Sequence, residues 1–230
     1  MVKNGSDRAS LEYTLKYNPP MDLVVAERNL KDAKRILDQL GVVFLLYSGV
    51  CLGATRDNAF IPWDDDIDLL SVNGVNGLTE QSIDLVMEAF RDNGYFVDIL
   101  DGAYSRTVVT IKDFVRLSWD CAGIIDDSIY AYPRVRLPAK LFIHPKEIMF
   151  LGEKFLVPNP PEEYLRLKYG PEWRTPKGPG FESDVVMQIG PSDNLSRWGK
   201  LQRVLSMGTF PRATSGVKIF DRNGQLVSGA

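Results

Sequence analysis

Between Trp63 and Leu69 the chain carries Asp64, Asp65, Asp66 and Asp68, with Ile67 alone breaking the acidic run. Drawn out as a strand, the segment puts Asp64, Asp66 and Asp68 on one face and Asp65, Ile67 and Leu69 on the other. Same-face neighbours are then roughly 6–7 Å apart at the backbone, near enough for their side chains to converge on one cation. Ile61-Pro62-Trp63 on one side and Leu69-Leu70 on the other draw the run toward apolar surroundings. Unpaired carboxylates there cost on the order of several kcal/mol, a penalty that a hard divalent ion with oxygen ligands reverses. A solvated acidic turn is the plain alternative. A calcium loop is excluded, because the DxDxDG spacing and the glutamate at position twelve are both absent.

Ser48-Gly49 offers a second piece of chemistry. Gly49 permits close backbone approach, and the amides of the turn after it can meet a pyrophosphate without side-chain obstruction. Arg56 follows and can present a bidentate fork to phosphate. An ordinary strand-ending turn and a surface ion pair are the simpler readings of these two features. Other residues carry smaller expectations. Trp63 packs beneath the acidic strand, with stacking on a base or choline the alternative, and the aromatics of Tyr130-Ala131-Tyr132 line an alcohol or trimethylammonium pocket or stand exposed. Arg166 and Lys168 lie on a solvated helix face or, as the alternative, face phosphate, and His144, the single histidine, belongs to a turn or the surface, with acid catalysis the alternative.

The elements that position these residues follow from periodicity and punctuation. Leu23, Ala26, Leu30, Ala33, Leu37 and Leu40 recur at three and four, the stripe of a helix that Gly41 caps. VVFLLYSGV reads as a buried strand ending at Ser48-Gly49, followed by a short helix or turn over VCLGATRD. Phe60 to Leu70 reads as the next strand. Thr79 caps a helix buried through Ile83, Val86, Met87 and Phe90. YFVDIL, TVVTI and FVRLSWDCA are strand candidates, the last two joined at Lys112-Asp113. A further edge strand is expected within Ile124 to Arg136. Asn159-Pro160-Pro161-Glu162 opens a helix that Gly170 ends. The expected organisation is a flexible segment over 1–20, one domain over 21–175, and an irregular C-terminal extension over 176–230 with a short helix near 195–205.

Composition narrows the function classes. The 230 residues are 44% hydrophobic and 25% charged, enough for one substantial core. A formal charge of -3 without any Lys/Arg block argues against tracking a nucleic acid, while a single nucleotide is allowed. Cys51 and Cys121, 70 residues apart, match neither a disulfide framework nor a zinc spacing. No apolar run is long enough to span a bilayer and none reads as a signal peptide, so a cytoplasmic protein is expected.

SGVCLGATRDNAFIPWDDDIDLL resembles the signature of the LicD family, known for phosphocholine transferases acting on bacterial glycans and related to fukutin and fukutin-related protein, which transfer ribitol phosphate. FLVPNPPEEYLRLKYGPEWRTP resembles the region that closes the family's shared domain. The two blocks bracket residues 48–176. The resemblance implies an α+β, nucleotidyltransferase-like fold: a short mixed sheet flanked by helices, with additional C-terminal elements. It assigns the glycine turn to Ser48 and Gly49, the metal pair to Asp66 and Asp68, a further acidic position to Asp64, and an arginine position to Arg56. A third carboxylate is expected from a neighbouring strand. Asp120 is favoured, Asp126 and Asp127 are its rivals, and Asp98 is a poorer fit.

The implied activity is transfer of a phosphoalcohol from a CDP-linked or other nucleotide donor to a sugar or glycan hydroxyl, with Mg²⁺ as cofactor and Mn²⁺ able to substitute. Asp66, Asp68 and Asp120 are the expected catalytic and metal-binding residues. Transfer of a nucleotidyl group from an NTP is the alternative within the same fold. A noncatalytic nucleotide- or glycan-binding protein is the alternative outside enzymes.

Overall fold

The structure, a computed structural model, describes residues 4–75, 77–101, 105–125, 127–131, 135–178, 219–220 and 226–228. A five-stranded mixed sheet forms its centre, from β1 (Leu45–Leu46), β2 (Asp66–Val72), β3 (Phe96–Asp101), β4 (Ser105–Lys112) and β5 (Val115–Ala122). Their order is β1-β2-β5-β4-β3. β2 and β5 run parallel, and the other pairs are antiparallel. The fold is therefore α+β with a mixed sheet, as expected.

The two faces of the sheet differ in kind. Ile67 and Leu69 of β2, Leu117 and Trp119 of β5 and Val108 of β4 alternate onto one face and are fully buried. Helices α2 (Leu23–Gln39) and α4 (Glu80–Asp92) contribute Ala26, Leu30, Ala33, Leu37, Ile83, Val86 and Phe90 to the same core. Asp22 caps α2 by accepting from the Val24 and Val25 amides, and Thr79 with Ser82 forms a capping box on α4. Gly41 takes the left-handed φ of +69° that its expected cap position needs. Trp119 reaches across β2, where its indole N–H donates to the Ser71 hydroxyl at 2.8 Å.

The opposite face carries Asp66 and Asp68, and α1 (Arg8–Tyr17) covers part of it. Leu11 packs on Val109 and Ile111 with Leu15, Phe96 and Leu100 around them. Arg8 pairs with Asp98 at 3.3 Å. This helix lies within the segment over 1–20 that was expected to be flexible. Asp7 caps it through the Ser10 amide, and Asn18, with its amide oriented to satisfy its neighbours, donates to Asp65 at 3.0 Å. Its buried stripe of Ser10, Leu11 and Thr14 is too polar to register as an apolar period.

Two strand boundaries also differ from expectation. β2 begins at Asp66 rather than Phe60, because the chain turns over Pro62 and Trp63 and the Asp64 amide donates to the Ile61 carbonyl at 3.1 Å. The stretch from Val42 gives only the two-residue β1, and helix α3 (Ser48–Arg56) starts where that strand was expected to end. The hairpin joining β4 to β5 turns one residue later than read, at Asp113 and Phe114, both at positive φ.

Beyond β5 lie a three-stranded sheet of β6 (Ile124–Ile125), β7 (Ser128–Ala131) and β8 (Val135–Pro138), the short helix α5 (Lys140–Ile143), and a hairpin of β9 (Lys146–Phe150) and β10 (Glu153–Val157). Helix α6 (Pro161–Tyr169) follows, and β11 (Ile219–Phe220) pairs antiparallel with β12 (Leu226–Ser228). The helix expected near 195–205 and most of the extension over 176–230 lie outside the described residues. No helix among the described residues is long and apolar enough to cross a membrane.

Candidate active site

The parallel pairing of β2 with β5 assembles the acidic face. Asp66 lies opposite Arg116, Asp68 opposite Ser118, and Leu70 opposite Asp120. Paired residues of neighbouring strands point to the same side, so Asp66, Asp68 and Asp120 share one face. Asp66 and Asp120 are 3% and 7% exposed, too little for hydration by bulk water to offset their charge, and Asp68 is half-buried. The Thr107 hydroxyl of β4 donates to Asp120 Oδ1. Tyr47 extends β1 along the same face, its amide donating to the Asp68 carbonyl at 3.0 Å. Burial, and then the charges of Asp120 and Asp68, hold the Tyr47 phenol well above its usual pKa.

Asp64 and Asp65 do not continue the alternation expected for an extended run. They precede β2 in the turn, which the Met21 amide pins by donating to the Asp64 carbonyl at 2.9 Å. The turn bends the three consecutive acids together, so that oxygens of Asp64, Asp65 and Asp66 lie within 4.8 Å of one another. Among the described residues this is the carboxylate trio that converges most tightly. The set of Asp66, Asp68 and Asp120 is more open.

Arg116, fully buried on β5, reaches into this trio. Its Nε and Nη2 donate to Asp66 Oδ2 at 3.1 and 2.8 Å, and Nη2 also reaches Asp65 Oδ2. Ser118 adds a hydroxyl to the same Asp66 oxygen at 3.4 Å. The strand thus holds Asp66 by Oδ2 and fixes the direction of Oδ1. Sequence reading missed Arg116. Its only signal is that 116 and 120 share parity on a predicted strand, and that means little without the register between segments 50 residues apart.

The glycine turn is bound to the acids by steric fit. A Cβ on Gly49 would stand 2.2 Å from Asp64 Oδ2, so the α3 backbone and the Asp64 carboxylate meet at a distance that only glycine allows. A carboxylate at the start of a helix also meets the positive end of its dipole. Gly49→Ala is expected to cost about 1–3 kcal/mol, as overpacking does, and to displace Asp64 or the start of α3. Thermal melting together with donor affinity checks this; an alanine variant with native melting and native affinity would count against the fit. Ser48 itself stands at φ +46°, its amide donating to the Tyr164 hydroxyl at 3.0 Å and its hydroxyl receiving Lys168 Nζ.

The remaining expected residues are dispersed. Arg56 ends α3, roughly 12 Å along the helix axis from Ser48. Its Nε and Nη2 contact the Asp57 carboxylate at 2.7–3.0 Å. The structure therefore does not bring Arg56 to the turn, because seven residues of helix lie between the two. Asp127 sits in an exposed turn at φ +59°. Asp98 is on the acidic face but on β3, with β5 and β4 between it and β2, and is paired with Arg8. Asp126, Tyr132 and the side chain of Tyr130 lie outside the described residues. Trp63 is half-buried against the core, while His144 and Arg166 are exposed. Lys168 departs from its expected solvated face, being 5% exposed. Burial pushes the Cys51 thiol up to about 12 and raises Cys121 as well, which disfavours the thiolate form of both.

The fold and the site together define an α+β domain whose mixed sheet presents buried carboxylates beside a glycine-bearing helix start. A family model described as "LicD/FKTN/FKRP, nucleotidyltransferase domain" matches residues 41–160, more than half of the chain. The protein belongs to the LicD family, and so to a family of transferases. No curated protein matches the chain.

Proposed function

We propose that the protein transfers a phosphoalcohol, of the phosphocholine or polyol-phosphate kind, from a CDP-linked donor to a sugar or glycan hydroxyl, with Mg²⁺ or Mn²⁺ as cofactor. One observation carries this reading: Asp66, Asp68 and Asp120 share a sheet face that lies beside the Ser48-Gly49 helix start through the contact of Gly49 with Asp64. The donor set suits such an ion. It consists of carboxylate oxygens without histidine or thiolate, the chemistry of a hard divalent cation. Asp66 and Asp68 would hold it, with Asp120 the third carboxylate and Asp64 adjoining. When bound, the ion offsets charge on the diphosphate and on the phosphoryl group in transit.

The chain's own residues do the rest. The Ser48-Gly49 turn receives the donor's diphosphate at the amide-rich start of α3. The acceptor hydroxyl attacks the phosphorus that bears the alcohol. A new P–O bond forms, the bond from that phosphorus to the bridging oxygen breaks, and CMP leaves with the electron pair. The hydroxyl proton passes to a carboxylate, for which Asp120 is suited by its place at the end of β5 and by Thr107, which orients its Oδ1. The partly covered acidic face limits water that would compete with the acceptor.

The family description names a nucleotidyltransferase domain, which favours transfer of an NMP group as the second reading. Product analysis separates the two. Incubation with several CDP-alcohols, a glycan panel and Mg²⁺ is expected to release CMP and give a phosphoalkylated acceptor. Release of pyrophosphate from an NTP, with a nucleotidylated product and no reaction from CDP-alcohols, would replace the first reading with the second.

A further inference from the structure

Helix α6 begins at Pro161, just past residue 160 where the family match ends, yet two of its side chains grip the candidate donor-binding turn. Tyr164 and Lys168 are one turn apart and lie on the same helix face. The Tyr164 hydroxyl accepts the Ser48 amide at 3.0 Å, and Lys168 Nζ donates to the Ser48 hydroxyl. The same ammonium sits over the Tyr47 ring, 4.4 Å from its centroid. Tyr47 and Tyr164 in turn pack with ring centroids 5.6 Å apart, and Phe142 closes the cluster.

Two of these features are costly alone. A lysine ammonium 5% exposed has lost most of its hydration. A serine at φ +46° occupies a region that disfavours residues with a Cβ. Each is offset where they meet, since the hydroxyl and the aromatic face solvate the charge, and the two bonds from α6 hold Ser48 in the left-handed conformation that starts α3. Tyr47 places this assembly beside Asp68, whose carbonyl accepts the Tyr47 amide at 3.0 Å.

We infer that Lys168 is a positioning residue for the nucleotide donor, acting through Ser48 to hold the turn in the shape that receives a diphosphate. The inference rests on the proposed donor chemistry for its functional part, whereas its conformational part stands without it. Lys168 fixes the Ser48 side chain, Tyr164 fixes the Ser48 amide, and α6 thereby belongs to the site although the candidate site's aspartates come from other elements.

The test compares wild type with Lys168→Met, Ser48→Ala and the double variant. Ser48→Ala also serves as the second arm if Lys168→Met does not fold. Amide exchange at Ser48 and Gly49 is measured without ligand, Mn²⁺ binding by electron paramagnetic resonance, CDP affinity by calorimetry with Mg²⁺, and KM and kcat for a CDP-alcohol. Each single variant is expected to raise the CDP dissociation constant and the donor KM about tenfold, the scale of one lost charge-assisted hydrogen bond, with kcat and Mn²⁺ affinity within about threefold of wild type. The double variant goes no further, and Lys168→Met speeds exchange at Ser48. Native exchange and native CDP affinity in both single variants would overturn the inference. So would effects that multiply in the double variant, which would put Lys168 on the ligand independently of Ser48. If wild type binds no CDP ligand, the donor reading fails, while exchange at Ser48 still decides whether Lys168 holds the turn.

Discussion

Asp68→Asn and Asp66→Asn are each expected to lower turnover by at least about a thousandfold, roughly 4 kcal/mol of lost transition-state stabilisation, but only the second also destabilises the fold. Both remove a carboxylate oxygen from the face where a divalent ion is proposed. Their surroundings differ. Asp66 is 3% exposed and accepts Nε and Nη2 of the buried Arg116, so its neutralisation leaves that cation short of a counter-charge. Asp68 is half-buried, so water screens part of its charge, and it lies opposite Ser118 in the strand register. Thermal melts and steady-state rates on the two variants separate the effects: both inactive, with the melting temperature lowered in Asp66→Asn and close to native in Asp68→Asn. Full activity in either variant would remove that residue from the reaction.

Arg116→Met carries the largest expected effect on stability. The side chain is 1% exposed and binds Asp65 and Asp66 together. Removing one partner of a buried ion pair leaves the other charges uncompensated and costs about 3–5 kcal/mol. Against a total stability of about 5–15 kcal/mol this is a large fraction. For a chain of this size it corresponds to a fall in melting temperature of roughly 6–20 °C. Two companions make the cause legible. Adding Asp65→Asn to Arg116→Met removes one uncompensated carboxylate and recovers part of the loss. Millimolar Mg²⁺ raises the melting temperature of Arg116→Met more than that of wild type, because the ion supplies positive charge where the guanidinium stood. Native melting in Arg116→Met would show that the ion pair contributes nothing to the fold.

Much of this arrangement is legible in the amino-acid sequence, and the exceptions have a common origin. The stripe through Ala26, Leu30, Ala33 and Leu37 and that through Ile83, Val86, Met87 and Phe90 announce α2 and α4, because burial against one sheet face imposes a helical period. The acids at 64–68 announce a site because so many carboxylates beside apolar residues demand compensation. What compensates them is harder to read. Arg116 meets Asp66 only through a parallel register between distant segments, and local pattern does not contain register. Lys168 looks like a solvated position of α6 until that helix is seen docked on Ser48, since the burial of a lysine depends on the neighbour that solvates its charge. The turn at Ile61 to Asp65 misleads for a third reason. An alternating carboxylate strand and a bent acidic loop share the same letters, and the choice between them is made by Met21 and Gly49, which contact Asp64 from elsewhere in the chain.

The roles of glycine and arginine near the turn shift in a physically consistent way. Gly49 looks like a phosphate-loop residue, and its absent side chain is what lets the start of α3 rest on Asp64. Arg56 looks like a phosphate fork, and its guanidinium contacts Asp57 at the end of α3. Among the described residues, β5 and α6 bring positive charges to the acids and the turn as Arg116 and Lys168, and one fixes a carboxylate while the other fixes Ser48.

The most direct measurement is anomalous scattering from crystals grown with Mn²⁺ and CDP, recorded at the manganese edge. The account predicts a peak within coordination distance of both Asp66 and Asp68, bridging to the diphosphate at the start of α3. A metal bound away from these two carboxylates, or a nucleotide bound with both of them facing solvent, would contradict it.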